Sequence, residues 1–398
     1  MDEIKLRAWW AHKQGLDGSL TGQSPAQVLE KTGWARSVAG VGPYLTIQSR
    51  SGASRAGIDQ ALTNVEIHEL PSARGCTYVV GAADYALALK VSQGFADESA
   101  MKVARKLGVT DQEIGTLREK VCVALEKGAM MPDALKEAVG NASRNLGEEG
   151  KKKGITTTLP LALGFLQSAG GIRRIPVDGR LDQQRYKYAL WRPNPLATCK
   201  LSAAEAYTEL ARKFFQWTGP ATAAEFQWFS GLGVKAAKEA IAPLQLVDAG
   251  SGRLMTTEDH EAFAKFKVPS KPHYVLTSSL DGLSQLCRNS GSLVDAADLD
   301  RLAAFDQGGK AGASLMDLPG HAIFDRGRLV GIWEFDTETS SIVYMTFQKA
   351  DKAMQQAIAE TETFVREQLG DARSFSLDSP KSRVPKLERL RAMQAGRK

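Results

Sequence analysis

Residues 151–192, KKKGITTTLPLALGFLQSAGGIRRIPVDGRLDQQRYKYALWR, decide how this chain is read. Three lysines (Lys151, Lys152, Lys153) precede a helix-compatible run, TTLPLALGFLQSAGG, and then IRRIPVDGRLDQQRYKYALW, which has the form of a hairpin. Asp178-Gly179 predicts a tight turn, with Ile175/Val177 and Tyr186/Tyr188 alternating in the two arms. The stretch holds nine Lys/Arg against Asp178 and Asp182, a local charge of +7. A helix followed by a basic two-stranded hairpin is the sequence pattern of a winged helix, in which the helix enters a groove and the wing lays cations along phosphates. Nucleic acid is therefore the first partner to consider, with Lys152, Arg173, Arg174, Arg180 and Arg185 as candidate DNA contacts. The competing reading of the wing arginines is a solvated hairpin.

The same pattern recurs on both sides. Towards the N-terminus, residues 6–16 have helical spacing, and Ser24-Pro25 opens a second helix that stops at Gly33. Gly40 to Arg50 reads as a broken segment, Ser54 starts another helix, and IHELPSARGCTYVV then reads as strand, turn, strand. Between these units, Thr110 with Glu113 predicts a capping box on a helix starting TDQEIG. Towards the C-terminus, LSAAEAYTELARKFFQW is a helix with Ala206, Leu210, Phe214 and Trp217 in one stripe. Thr222 caps the next helix, VKAAKEAIAPL follows, and LQLVDAGSGRLMT is a compact hairpin. The spacing of Phe226, Trp228 and Phe229 fits a buried helix face better than a base-stacking platform. Beyond Pro269 the segments HYVLTS, GHAIFDRGRLVGIWEFD and SSIVYMTF read as strands, closed by a helix over 351–369. The expected class is α+β: tandem winged-helix units at 1–93, 94–195 and 196–264, a C-terminal β domain at 265–375, and a basic tail at 376–398.

Charge and composition narrow the function. The chain has 398 residues and a net charge of +6, and residues 381–398 alone carry seven basic residues against Glu388. The remainder sums to zero, so its basic clusters form a directed face on a balanced body. The tail reads either as an arm on DNA or as a solubilising end. No apolar run reaches membrane-span length and no secretory signal is visible. Cys76, Cys122, Cys199 and Cys287 lie far apart and read as free thiols of a reducing cytoplasm. There is no P-loop, HExxH, paired CxxC or GxSxG, and Gly40-Val41-Gly42 lacks the third glycine of a dinucleotide loop. The five histidines show no ligand spacing, so neither a metal nor a cofactor is expected.

Four stretches carry a family resemblance. WTGPATAAEFQWFSGL at 217–232 resembles the "GPAT…SGL" signature of the AlkZ-like DNA glycosylases, the winged-helix enzymes acting on interstrand crosslinks and bulky alkylpurines. HKQGLDGS at 12–19 is similar to the family's opening helix. LPSARGCTYVVGAADYALAL at 70–89 keeps Arg74, Gly75 and Asp84 of another segment, with Tyr78 where a histidine is usual. Asp281, Gly327, Gly331 and Trp333 match the C-terminal β region. The resemblance implies tandem winged helices forming a concave DNA-binding surface and hydrolysis of the N-glycosidic bond of alkylated or crosslinked purines. It implies a monomer on double-stranded DNA, in the cytoplasm and at the nucleoid.

The chain departs from the family at the catalytic motif. The Gln-x-Gln or Gln-x-Asp expected near Gly33 falls, by spacing, on Arg36 and Val38. A cationic alkylpurine leaves without much help from an acid, but the reaction needs a positioned water and surroundings that tolerate an oxocarbenium-like transition state. Val38 cannot orient water, and Arg36 adds positive charge unless it holds a phosphate. The carboxylates to consider instead are Glu66, Glu69, Asp84 and Asp281, with Glu66 and Glu69 preferred for their place near Arg74. Arg36, Arg50 and Arg74 join the candidate DNA contacts. The alternative is a non-catalytic winged-helix DNA-binding protein, a regulator or lesion sensor.

Overall fold

A computed structural model describes residues 2–287, 290–305 and 317–395. Strands are numbered in chain order, and helices are given by their residues.

Within residues 1–93, three consecutive helices lead into a small sheet, and a further helix, Tyr85–Ser92, follows it. Ser24 caps the helix Pro25–Thr32 in a reciprocal capping box with Gln27, and Gly33 ends it at φ 102°. The segment read as broken contains a full helix, Gly42–Ser51. Tyr44, Leu45, Thr46, Ile47, Arg50 and Ser51 are all buried there, so it has neither the polar face nor the apolar stripe that periodicity detects. Helix Arg55–Thr63 follows, capped by Ser54 as expected. Strands β1 (Ala35–Arg36), β2 (Ile67–Pro71) and β3 (Thr77–Gly81) form an antiparallel sheet in the order β1-β3-β2.

The second unit packs helices Ala96–Arg105, Asp111–Leu125, Pro132–Val139, Gly147–Lys152 and Leu159–Ser168 against the hairpin of β4 (Ile172–Pro176) and β5 (Tyr186–Leu190). Thr110 accepts from Glu113 N at 3.1 Å, but the Glu113 carboxylate turns away to bind Arg144 at 3.0 Å, so the capping box is half formed. Helix Leu159–Ser168 buries Leu159, Leu161, Leu163 and Leu166, which makes it core and not an exposed groove-entering helix. The hairpin also differs from expectation. Its connection is the loop 177–185, not a tight Asp-Gly turn. The reason is Leu181, fully buried in the core of the first unit, with its N–H donated to Tyr44 Oη at 2.9 Å.

In the third unit the helix Ala203–Thr218 buries the expected stripe, and capping boxes at Ser202 and Thr222 start this helix and the next, Ala223–Ser230. Helix Val234–Ile241 lies in the chain between β6 (Ala221–Thr222) and the pair β7 (Leu246–Asp248) and β8 (Arg253–Thr256), and the three strands form a sheet in the order β6-β8-β7. Phe226 and Phe229 lie in the core, as their spacing indicated, whereas Trp228 is only half-buried at its edge. The C-terminal sheet has the order β12-β11-β10-β9, from β9 (Tyr274–Thr277), β10 (His321–Asp325), β11 (Arg328–Asp336) and β12 (Ser341–Thr346). Helix Lys352–Phe364 packs on it and ends in a wider turn, Val365–Leu369.

Two features tie these parts together. The helix Glu3–Lys13 sits in the core of the C-terminal sheet, and Trp9 and Trp10 reach the third unit through hydrogen bonds to Gly219 O (2.7 Å) and Pro220 O (3.2 Å). The basic tail is not a loose arm: it forms the helix Pro380–Ala395 with Leu387 and Leu390 buried. Three of its cations are engaged by the sheet and its approach, Arg383 on Asp371 and Lys386 on Glu334, both at 2.7 Å, and Arg391 on Asp336.

Candidate functional site

The first sheet presents one face to a cleft of about 510 Å³. Side chains two apart along a strand share a face, and the pairings Ala35↔Val79 and Glu69↔Val79 put Ala35, Ser37, Val79 and Glu69 on the same side. Ala35 and Val79 are covered, while Ser37 and Glu69 line the cleft. Glu69 is buried, at 6% exposure, and accepts from Ser37 Oγ at 2.5 Å on Oε1 and from Arg174 Nη2 at 2.9 Å on Oε2. A carboxylate has about four lone-pair sites. Tyr186 also lies within hydrogen-bonding reach of this carboxylate, which lines the cleft.

The walls come from distant parts of the chain. Residues 36–39 form one side, where Arg36 donates to Thr77 O at 2.7 Å and stacks on Tyr78. The hairpin supplies Arg174, Gln184 and Tyr186, with the Arg174 guanidinium 4.6 Å over the Tyr186 ring. Burial, and then the Glu69 charge, push the Tyr186 phenol above its usual range. The third wall is Ser376, whose N–H donates to Val38 O at 3.1 Å. The approach is close enough to require glycine at position 40, since a Cβ there would overlap the Ser374 carbonyl. The adjoining Ala39 is held at φ 59°.

Of the carboxylates expected to matter, only Glu69 lines this cleft. Glu66 is exposed, bonded by Asn64 Nδ2 at 3.0 Å. Asp84 is buried away from the cleft, accepting from Trp34 Nε1 at 3.0 Å and paired with Lys213 at 2.8 Å. Asp281 caps the helix Gly282–Leu286 and is fully buried with Arg50. Arg50 is accordingly no DNA contact: its guanidinium binds both Asp281 oxygens, Thr46 O and Gln14 Oε1 inside the protein. Arg180 is likewise engaged, with Asp182 and Leu369 O, and Arg74 lies 3.5 Å over the Trp228 ring. Arg173 is half-buried, and burial lowers its pKa. Arg185 and Lys152 remain exposed. Ser37, Gln184, Tyr186 and Ser376 were not anticipated; Ser37 stands between the two motif positions, whereas nothing local marks Ser376.

A family model for DNA glycosylase AlkZ-like proteins matches residues 40–371. The chain belongs to the AlkZ-like DNA glycosylase family. Membership implies DNA as the substrate. Streptomyces sahachiroi DNA glycosylase AlkZ is similar in fold, with a TM-score of 0.68 and 16% identity over 94% of this chain and 98% of that one. No curated protein matches. Within this AlkZ-like chain, no group of three His, Cys, Asp or Glu side chains among the described residues converges as a metal site. No helix among them is long and apolar enough to cross a membrane.

His68, beside Glu69 but on the opposite face of β2, packs 4.9 Å from Trp191 and leaves both ring nitrogens without a partner. Burial, then Arg173 and Arg174, lower its pKa from 6.5 to about 3. The unfolded chain therefore takes up this proton first as pH falls. The stability is complete above pH 6.5 and declines below it, by roughly 1.4 kcal/mol per pH unit. His68→Leu is expected to flatten this dependence in urea melts between pH 6.5 and pH 5; an unchanged slope refutes the assignment to His68.

Proposed function

We propose that this protein is a base-excision glycosylase that hydrolyses the N-glycosidic bond of alkylated or crosslinked purines in double-stranded DNA, acting as a monomer, with Glu69 as the catalytic carboxylate. The observation that carries the reading is a buried carboxylate on the floor of a cleft, next to the segment where the family's motif would fall. N3- or N7-alkylation places positive charge on the base, so the C1′–N bond breaks with its electron pair passing to a neutral leaving group. Positive charge then develops on the sugar. An anionic Glu69 stabilises it and takes the proton of the water whose oxygen bonds to C1′. Ser37 and Arg174 hold the carboxylate in one orientation. In this reading the helix–hairpin units act as winged helices on the duplex. The hairpin cations Arg185 and Lys187, with Arg36 at the cleft, meet phosphates, and the target base leaves the stack to enter the cleft.

The direct test is release of free base from a duplex containing N7-methylguanine, in the presence of chelator and without added cofactor. Base release above the spontaneous rate is expected. Tight duplex binding with no release would instead identify a non-catalytic DNA-binding protein.

A further inference from the structure

Among the described residues, Leu377 is the most exposed large hydrophobic side chain, at 86%, and Phe375, two positions earlier, is 46% exposed. They flank Ser376, which lines the cleft. A leucine held in water gains nothing from folding, and tight turns favour Gly, Asn, Asp and Ser on local grounds. This turn is nevertheless rigidly built. Asp378 N donates to Phe375 O at 3.0 Å, closing a four-residue turn with Leu377 in its third position. Asp378 Oδ2 accepts from Ser374 N at 2.9 Å and Phe375 N at 3.4 Å.

The segment before the turn is pinned along its length. Ala372 O accepts from His321 Nε2 at 2.6 Å, and the imidazole tautomer is fixed because Nδ1 accepts from Ser279 N at 3.1 Å. Arg373 O accepts from Val41 N at 3.0 Å, and the Arg373 side chain binds Asp182 O of the hairpin loop. Ser374 Oγ meets Ser279 Oγ at 3.0 Å. An apolar pair is thus presented on a stiff mount at the rim of a cleft that also holds Arg36 and Arg174, on a body whose hairpin exposes Arg185 and Lys187.

The partner that fits has an apolar interior and an anionic edge. A duplex supplies both, as stacked base faces between phosphate rails. We propose that Leu377, supported by Phe375, is a wedge that enters the base stack of duplex DNA at the step beside the nucleotide whose base occupies the cleft. The wedge fills the gap which that base leaves, so the cost of unstacking is met by apolar contact. This proposal rests on the reading of the cleft as a base-excision site, but its first readout does not require hydrolysis.

The test uses the full chain and a duplex with 2-aminopurine next to N7-methylguanine, since 2-aminopurine brightens when unstacked. Wild-type protein at saturation, judged by anisotropy, is expected to raise the fluorescence. Leu377→Ala is expected to lose most of that rise and to slow base release from the duplex roughly tenfold, a fraction of the cost of unstacking. Release from the same strand in single-stranded form stays unchanged, and Leu377→Met recovers the duplex rate. The exposure of Leu377 means that the variant melts like the wild type. An equal fluorescence rise and an equal duplex rate in Leu377→Ala overturn the wedge, as does a wild-type complex with no rise or no duplex binding. A rise that depends on Leu377 without any base release upholds the wedge and removes the hydrolytic reading. Base release indifferent to Leu377 does the reverse.

Discussion

Glu69→Gln is expected to lower the single-turnover rate of base release by about 10² to 10⁴-fold, the range lost with a general acid or base. Duplex affinity should change little. The substitution keeps the shape of the side chain and an oxygen able to accept from Ser37 Oγ, which now approaches Oε1 at 2.5 Å. It removes the negative charge that would balance a positive sugar and the basicity that would accept a proton from water. It also deprives Arg174 of its 2.9 Å partner, placing an uncompensated cation where the transition state carries like charge. Glu66→Gln is the matched control, because Glu66 is exposed on the same strand's approach and outside the cleft. A Glu69→Gln enzyme within a few-fold of wild type would exclude Glu69 as the catalytic group.

Asp281→Ala is expected to destabilise the protein by about 3–5 kcal/mol, the cost of leaving one member of a buried ion pair unpaired. Both side chains have zero exposure, and Arg50 spends two nitrogens on the carboxylate at 2.7 and 2.9 Å. The loss extends beyond the pair. Gln14 receives Arg50 Nη2 at 3.1 Å and donates to Thr32 O and Trp217 O, so one polar knot joins the first helix, the first unit, the third unit and the start of the helix at Gly282. Its removal leaves Arg50 charged with no counter-ion. Chemical denaturation of the variant reads the effect directly, and a loss below about 1 kcal/mol, typical of exposed pairs, would show that the knot carries little. Replacing Arg50 and Asp281 together by apolar residues should cost less than the single change.

The elements legible in the sequence are those whose signals are local. Ser24, Ser54 and Thr222 announced their helices because a cap needs only the next three residues, and the β9 to β12 segments stood out by composition. The helix Gly42–Ser51 did not, since a helix buried all round shows no contrast between faces. Some individual basic residues were harder to read for a related reason. A formal charge is visible in the sequence, whereas the partner that neutralises it, Asp281 for Arg50 or Asp336 for Arg391, lies far along the chain. At the site, Glu69 was within reach because the family's motif failed nearby and a carboxylate was needed. Glu66 looked equally suitable, and Asp84 a lesser candidate, until the fold separated them: β2 begins after Glu66, and Asp84 lies beyond β3 against Lys213. Ser376 lay beyond inference, because its place beside Val38 is a contact across more than three hundred residues.

That contact sets an order of assembly. Domains emerging from a ribosome fold roughly from the N-terminus onward, at about 5–20 residues per second. The sheet carrying Glu69, the hairpin carrying Arg174 and the third unit can all be in place while the segment around Ser376 is still untranslated. For some ten seconds or more at that speed, a nascent chain holds the carboxylate with one side open to water. The cleft is closed only when Ser376 reaches the Val38 carbonyl and Arg373 the hairpin loop. Translation thus acts as a timer, and a polypeptide interrupted before this point carries the carboxylate without the third wall of its cleft.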